Sequence, residues 1–374
     1  MERRVRTDRR ITRNQVMEIR KRNQTTASRS STPCSLLPAP RPGFTLVELL
    51  VVITIIAILA ALVTVAAAAA LRKAQATRIK SEIDQISTAL ETYKDKAGSY
   101  PPNAQTDGGT VLDSNQVFTD LKRHMKQAFP RSREPEALLR GLVGLGPSGS
   151  NLAGGMTAGE AVVFWLGGFS SDPEYPISGE GGPSYRVQNA GDANNRTLDP
   201  LENRKWIFPF EVTRLKPRKE DDNYFDETAN RFLEYQVNVN GTTQTRRINF
   251  WEYLPAKSTQ PYLFFDVSRH PGAAAFDPPA GTAATALNSS PLEVHAFKKA
   301  PASSTATVPD FANNGKFQVL HAGIDDQWGD FETMSLHATP IASLLFYPNG
   351  PFTGEVADTI VNFIPQTKIE DAQP

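Results

Sequence analysis

One acid at the edge of a long apolar run is the residue best placed to do chemistry in this chain. Glu48 follows Arg41-Pro42-Gly43-Phe44-Thr45-Leu46-Val47, and from Leu49 to Leu71 no residue is charged and only Thr54 and Thr64 are polar. A run of that length can cross a hydrocarbon core, which needs about 20 apolar residues. A carboxylate on a helix entering lipid costs roughly 2.5–3.5 kcal/mol on insertion scales, so such a group usually has a partner and a task. The other reactive side chains form no catalytic set. His124, His270, His295, His321 and His337 include no pair at metal-ligand spacing such as H-E-x-x-H. Gly146-Pro147-Ser148-Gly149 misses the G-x-S-x-G elbow, and no Gly-Lys-Ser/Thr phosphate loop occurs. The acidic cluster Asp221-Asp222-Asn223-Tyr224-Phe225-Asp226-Glu227 lacks the glycine and ligand spacing of an EF-hand and reads as a solvated turn. Catalysis is therefore not expected, and no catalytic residue is assigned.

The elements that must position Glu48 follow from charge and periodicity. The chain has 374 residues and no net charge, yet residues 1–43 hold 11 Lys and Arg against 3 Asp and Glu. The remainder is correspondingly acidic. Positive charge before a span keeps that end in the cytoplasm, so the rest of the chain is expected on the far side. Its acidity argues against a general affinity for nucleic acid. The leader is rich in Arg, Ser, Thr and Pro and reads as disordered, with Met17 a second possible start. The only cysteine, Cys34, lies in it, and a chain trimmed after Gly43 would have no disulfide. Two plainer readings stay open: a secretory signal cut after Ala66-Ala67-Ala68-Ala69-Ala70, and a single-pass anchor with an incidental acid.

Beyond Leu71 the helical signal continues. Ile79, Ile83, Ile86, Leu90 and Tyr93 share one helical face, with Lys80, Glu82, Asp84 and Glu91 read as falling elsewhere. Gly98 can close the helix in a left-handed cap, and Pro101-Pro102 forbids its resumption. A helix over 44–97 would span roughly 80 Å at about 1.5 Å per residue. From about residue 103 short β-type runs alternate with Gly, Pro, Asn and Asp clusters. Strands are expected at 161–166, 206–212, 232–237, 262–267 and 317–320. Helices are expected at 115–128 and 134–141, with 158–166 as a helical alternative for the Trp165 run. Segments 170–200 and 271–310 read as surface insertions or flexible loops. The expected architecture is α+β: a basic leader at 1–43, a spine helix at 44–97 with its membrane part at about 46–71, and a β-rich head at 98–374.

Gly43-Phe44-Thr45-Leu46-Val47-Glu48, joined to the apolar run behind it, resembles the cleavage and methylation motif of type IV prepilins and type II secretion pseudopilins. The resemblance implies cleavage by a membrane-embedded prepilin peptidase between Gly43 and Phe44 and methylation of the new Phe44 amine. It also implies that Glu48, fifth in the trimmed chain, pairs with the N-terminal amine of a neighbouring subunit in a helical filament. Ammonium and carboxylate each lower the cost of the other's burial, which lets such a pair set axial register. Leu90-Glu91-Thr92-Tyr93-Lys94-Asp95-Lys96-Ala97-Gly98-Ser99-Tyr100-Pro101 is similar to the end of the spine helix in major pseudopilins. Near the C-terminus, 321–330 and 354–363 look like the halves of the terminal loop that binds calcium in that family. Asp325, Asp326, Asp330 and Asp358 are the implied ligands, suited to a cation that takes six to eight oxygens. The chain departs from the pattern by a long segment between the halves, including Pro348-Asn349-Gly350-Pro351.

The resulting expectation is a structural subunit of a type II secretion pseudopilus. It would sit in the cytoplasmic membrane with its leader inside and its head periplasmic or extracellular. Its partners would be copies of itself and other pseudopilins, the prepilin peptidase and the inner-membrane platform of a secretion machine. The alternatives are a type IV pilus or DNA-uptake subunit, and a membrane-tethered binding module that does not polymerise.

Overall fold

The computed structural model describes residues 43–102, 114–146, 152, 155–179, 181–186, 206–216, 232–239, 241–268, 294, 296–299, 311–328, 346–350 and 352–373. The leader with Cys34, most of 271–310, the acidic cluster at 221–227, and His270, His295, His337 and Asp330 lie outside the described residues, and so do the expectations placed on them. The chain divides into two compact units, Met1–Ala61 and Leu62–Pro374.

The first unit is described from Gly43 and consists of the start of α1 (Leu46–Ala97). Thr45 precedes the helix as its N-cap: its hydroxyl accepts from the Glu48 backbone N–H at 3.2 Å. Glu48 in turn accepts from the Thr45 backbone N–H at 2.9 Å. This reciprocal pair is a capping box and satisfies two of the otherwise orphaned donors of the first turn. The apolar side chains behind it, Leu49 to Ile58 among them, are exposed.

In the second unit α1 turns from exposed to packed. Ala76, Ile79, Ile83, Ile86, Ala89, Leu90, Tyr93 and Ala97 are buried, the face read from the spacing with small residues added to it. Burial of each large apolar side chain contributes about 2 kcal/mol. Gly98 ends the helix at φ +81°, its N–H donating to Lys94 O at 2.7 Å. A side chain at Gly98 would also collide with Gln127. Just beyond, Trp165 Nε1 donates to Pro102 O at 2.7 Å, and this bond ties the exit of α1 to the core.

Three further helices follow: α2 (Ser114–Ala128), α3 (Glu136–Leu142) and α4 (Ala158–Leu166). The run 161–166, expected as a strand with helix as its alternative, is the helix α4. It is buried on all sides, so its apolar residues show no 3.6-residue stripe. Its start is nevertheless written in the sequence: Thr157 and Glu160 form a capping box. The strand expected at 206–212 is irregular chain leading into a short turn at Val212–Arg214. The N–H groups of Ile207 and Phe208 donate to Leu166 O at the end of α4 instead of to a strand, and Pro209 has none to give.

The strands form small antiparallel sheets. β1 (Ser184–Arg186), β3 (Phe232–Val239) and β4 (Thr242–Asn249) make one in the order β1-β4-β3. β3 buries Leu233, Tyr235 and Val237 between more exposed neighbours, so one face meets the core. β2 (Leu215–Lys216) pairs with β5 (Glu252–Tyr253). β6 (Leu263–Asp266), β7 (Phe317–His321) and β8 (Ile360–Val361) form the third, order β6-β7-β8, buried throughout. A long apolar N-terminal helix followed by a sheet-containing globular region is the α+β class expected.

Candidate functional site: the N-terminal signal and the helix–head lock

Gly43 and Phe44 precede the helix, and the Phe44 side chain is 77 % exposed. A Cβ at Gly43 would meet nothing within 4 Å. Among the described residues nothing crowds that position, so a side chain there would meet no steric obstacle. Among the described residues Glu48 is held by Thr45, through its backbone N–H and its hydroxyl, both at 2.9 Å. One carboxylate oxygen, Oε2, takes both bonds, and Oε1 takes none among the described residues.

Lower on α1, the residues that fix the helix to the head do not show in the apolar stripe. The sequence reading places Glu82 off the buried face. Yet it follows Ile79 by three residues and precedes Ile86 by four, so it sits on that face, its side chain only 13 % exposed. Its carboxylate pairs with the two terminal Arg214 guanidinium nitrogens and accepts from Tyr262 OH at 2.6 Å. Arg214 also donates from Nε to Leu254 O at 2.7 Å and lies 4.4 Å from the Tyr253 ring centroid. Burial pushes the Glu82 carboxyl up, but the hydrogen bonds from Arg214 and Tyr262 and the Arg214 charge outweigh it and hold the group below its ordinary value. Tyr262 moves the other way, raised by burial and by the Glu82 charge. Lys80, likewise placed off the stripe by its type, donates to Val361 O and Ile364 O, each at 2.9 Å. The signal that could have found both is i+3 and i+4 spacing to buried isoleucines.

At the helix end Tyr93 and Tyr100 are buried, with polar partners as well. Tyr93 OH lies 2.8 Å from His124 Nε2, and Ser99 Oγ 2.9 Å from His124 Nδ1. Tyr100 OH donates to Glu91 at 2.8 and 2.9 Å, and burial with that carboxylate raises the phenol.

The acids read as metal ligands build turns. Asp326, at φ +60°, accepts from Thr259 N–H at 2.8 Å and from Ser258 Oγ. Asp358 accepts from Ile324 N–H at 2.6 Å and pairs with Lys368. Gly323 is required beside it: at φ +107° a Cβ there would stand 2.5 Å from Asp358 O. Asp325 accepts from Gln327 N–H at 3.1 Å, and burial, with the nearby Asp358 and Glu355 charges, raises its carboxyl. Among the described residues no group of three or more His, Cys, Asp or Glu could hold a metal ion. Asp325, Asp326 and Asp358 therefore share one loop region without forming a coordination shell as they stand.

His321, in the same region, is fully enclosed. Its Nδ1 accepts from Gly323 N–H at 3.1 Å, which places the proton on Nε2, facing Ser258 Oγ at 3.0 Å and Gln260 O at 3.2 Å. A ring already protonated on Nε2 cannot take the Ser258 proton, so this Ser–His–Asp grouping is not arranged as a nucleophile with its base. Burial lowers the imidazole to about 4 from 6.5.

A family profile for the prokaryotic N-terminal methylation motif matches residues 40–64. No curated protein and no solved structure matches the chain. The chain thus carries a type IV prepilin-like signal, the mark of a pilin-like or pseudopilin precursor. That signal implies processing by prepilin peptidase and assembly into a filament. Its one helix long and apolar enough to cross a membrane among the described residues, α1, fits a single-pass anchor.

Proposed function

We propose that this chain is a structural subunit of a type II secretion pseudopilus. It would be cut between Gly43 and Phe44, methylated on Phe44 and polymerised through α1, with Glu48 setting the register. The observation that carries the reading is the division of labour along α1. Its first part bears the methylation motif and an exposed apolar surface, whereas its last part is locked into a folded head by the isoleucine stripe and Glu82. A helix packed into its head at one end and, among the described residues, exposed along its apolar other end suits a subunit that must find its own kind. The secretion assignment within the class is supported by the resemblance of the 90–101 segment. In this reading the head is periplasmic or extracellular, and the inner-membrane platform and other pseudopilins are the remaining partners.

Replacing Glu48 by Ala tests assembly. The variant should lose co-sedimentation with filaments while the head keeps its melting temperature. A membrane-tethered module would be indifferent, and unchanged incorporation would remove the register role. Because the substitution also deletes half of the Thr45 capping box, Thr45→Val is the control. It should weaken the first turn by about 1 kcal/mol and leave the Glu48 charge in place to direct assembly.

Calcium at the terminal loop belongs to the same proposal, with Asp325, Asp326, Asp330 and Asp358 as ligands and the ion competing with Lys368 for Asp358. Calcium at about a hundredfold over its dissociation constant would add about 2.7 kcal/mol to stability. The head should then melt several degrees higher, an effect lost in Asp325→Asn. A melting temperature indifferent to calcium would remove that role.

A further inference from the structure

A cavity of about 780 Å³ lies between α1 and the C-terminal segment of the head. On the helix it is lined by Val65, Ala68 and Ala69 and, one turn further, by Arg72 and Lys73. The C-terminal segment lines it with Lys368, Glu370 and Asp371. We infer that this groove seats a phospholipid whose headgroup carries both a phosphate and a primary ammonium. The phosphate would lie on Arg72 and Lys73, the ammonium on Asp371 and Glu370, and the upper acyl chain along Val65, Ala68 and Ala69.

Three observations converge on that ligand. The first is position: the uncharged run ends at Leu71, so Arg72 and Lys73 are the first charges after a stretch of membrane-spanning length, at the level where headgroups begin. The second is availability. Among the described residues, neither Arg72 nor Lys73 has an ion-pair partner, and the Asp371 carboxylate has none either; Glu370 is shared with Lys368 at 3.5 Å. The third is the charge pattern. Arg72 and Lys73 alone would favour any anionic lipid, but with Lys368 in the same groove already paired to Glu370 and Asp358, the Asp371 carboxylate is left to repel a headgroup that is purely anionic. A headgroup with both signs satisfies both ends, and the volume falls within the range of small-molecule sites, roughly 300–1,000 Å³. The inference rests on α1 being a membrane anchor.

The test uses the full chain, produced in bacterial membranes and purified in mild detergent. It is offered equimolar phosphatidylethanolamine, phosphatidylglycerol and phosphatidylcholine, and retained lipid is read by native mass spectrometry. Phosphatidylethanolamine should be retained at least about fivefold over the other two. The paired change Arg72→Gln and Lys73→Gln should cut retention about tenfold with the head's melting temperature unchanged. The paired change Glu370→Gln and Asp371→Asn should keep retention and lose the preference over phosphatidylglycerol. Equal retention of the three lipids by the wild-type chain overturns the inference, as does full retention by the cation-less variant. Cross-links joining Lys73 to a second copy, with no lipid retained, would give the groove to packing between subunits and overturn it too. Alkaline extraction of the membranes separates the two possible failures. A chain released by it defeats the anchor reading and this one together, whereas a chain that stays with no lipid preference defeats this one alone.

Discussion

Glu82 and Arg214 show how one ion pair can be structural and costly at once. With side chains 13 % and 11 % exposed, both have left most of their water, and their attraction compensates only because Tyr262 and Leu254 complete the hydrogen bonding. Removing one partner strands the other. Glu82→Gln should therefore destabilise the head by about 3 kcal/mol in urea melts, and Tyr262→Phe by about 1 kcal/mol. Equal and small effects for both would mean that the pair is solvated. His321 adds a pH dependence of known sign. Its folded value is lowered to about 4 from 6.5, so below pH 6.5 the unfolded chain binds a proton that the folded chain refuses. The stabilisation is complete above 6.5 and is lost as pH falls toward 4, roughly 3 kcal/mol in all. Glu82 acts in the same direction at lower pH, since its depressed carboxyl gives stability that disappears as it protonates. Comparing urea melts at pH 7 and pH 4.5 for wild type and His321→Gln should show the wild type losing more. Parallel losses would mean that His321 is not held neutral.

At the scale of elements, helix ends carry much of the local information. Thr45 with Glu48 and Thr157 with Glu160 are two capping boxes of the same T-x-x-E form, one starting an exposed helix and one a buried helix. Thr157→Ala should cost about 1 kcal/mol from the cap, and it also removes the 3.0 Å bond to the buried Glu252. Gly98→Ala should cost about 1 kcal/mol, because a left-handed backbone opposes a Cβ while the terminal amide of Gln127 can move aside. A melting temperature within a degree of wild type would show that the helix end rearranges freely. These elements also mark what could be read in advance. α1 was legible from Ile79, Ile83, Ile86 and Leu90 because one side is buried and the other is not. β3 and β7 were legible as apolar β-type runs between turn residues, and the Gly98 cap by residue type. The Trp165 run was ambiguous because burial on all sides erases periodicity, and 206–212 misled because its aromatic residues pack without pairing. The signal at 43–48 was readable as a contiguous motif. Glu82 with Arg214 was not, since its partner is far away in sequence and its charge disguised a buried position.

For the whole molecule, a signal that is read and removed is joined to a helix that serves twice, as anchor and as assembly surface. A side chain at Gly43 would meet nothing among the described residues, the exposed apolar side chains behind Glu48 have no partner among them, and the helix is packed in its head from Ala76 on. All three facts fit a precursor that becomes competent by losing its leader. In the proposed reading the free Phe44 amine would be created by that cut and assembly through Glu48 would follow processing, so a Gly43→Val precursor should accumulate uncut and outside filaments. The most direct measurement is the intact mass and N-terminal sequence of the protein taken from its own membranes. The expected result is a chain beginning at Phe44 with a single methyl group on its amine. A chain that retains its leader, or one cut after the alanine run at Ala70, would contradict it.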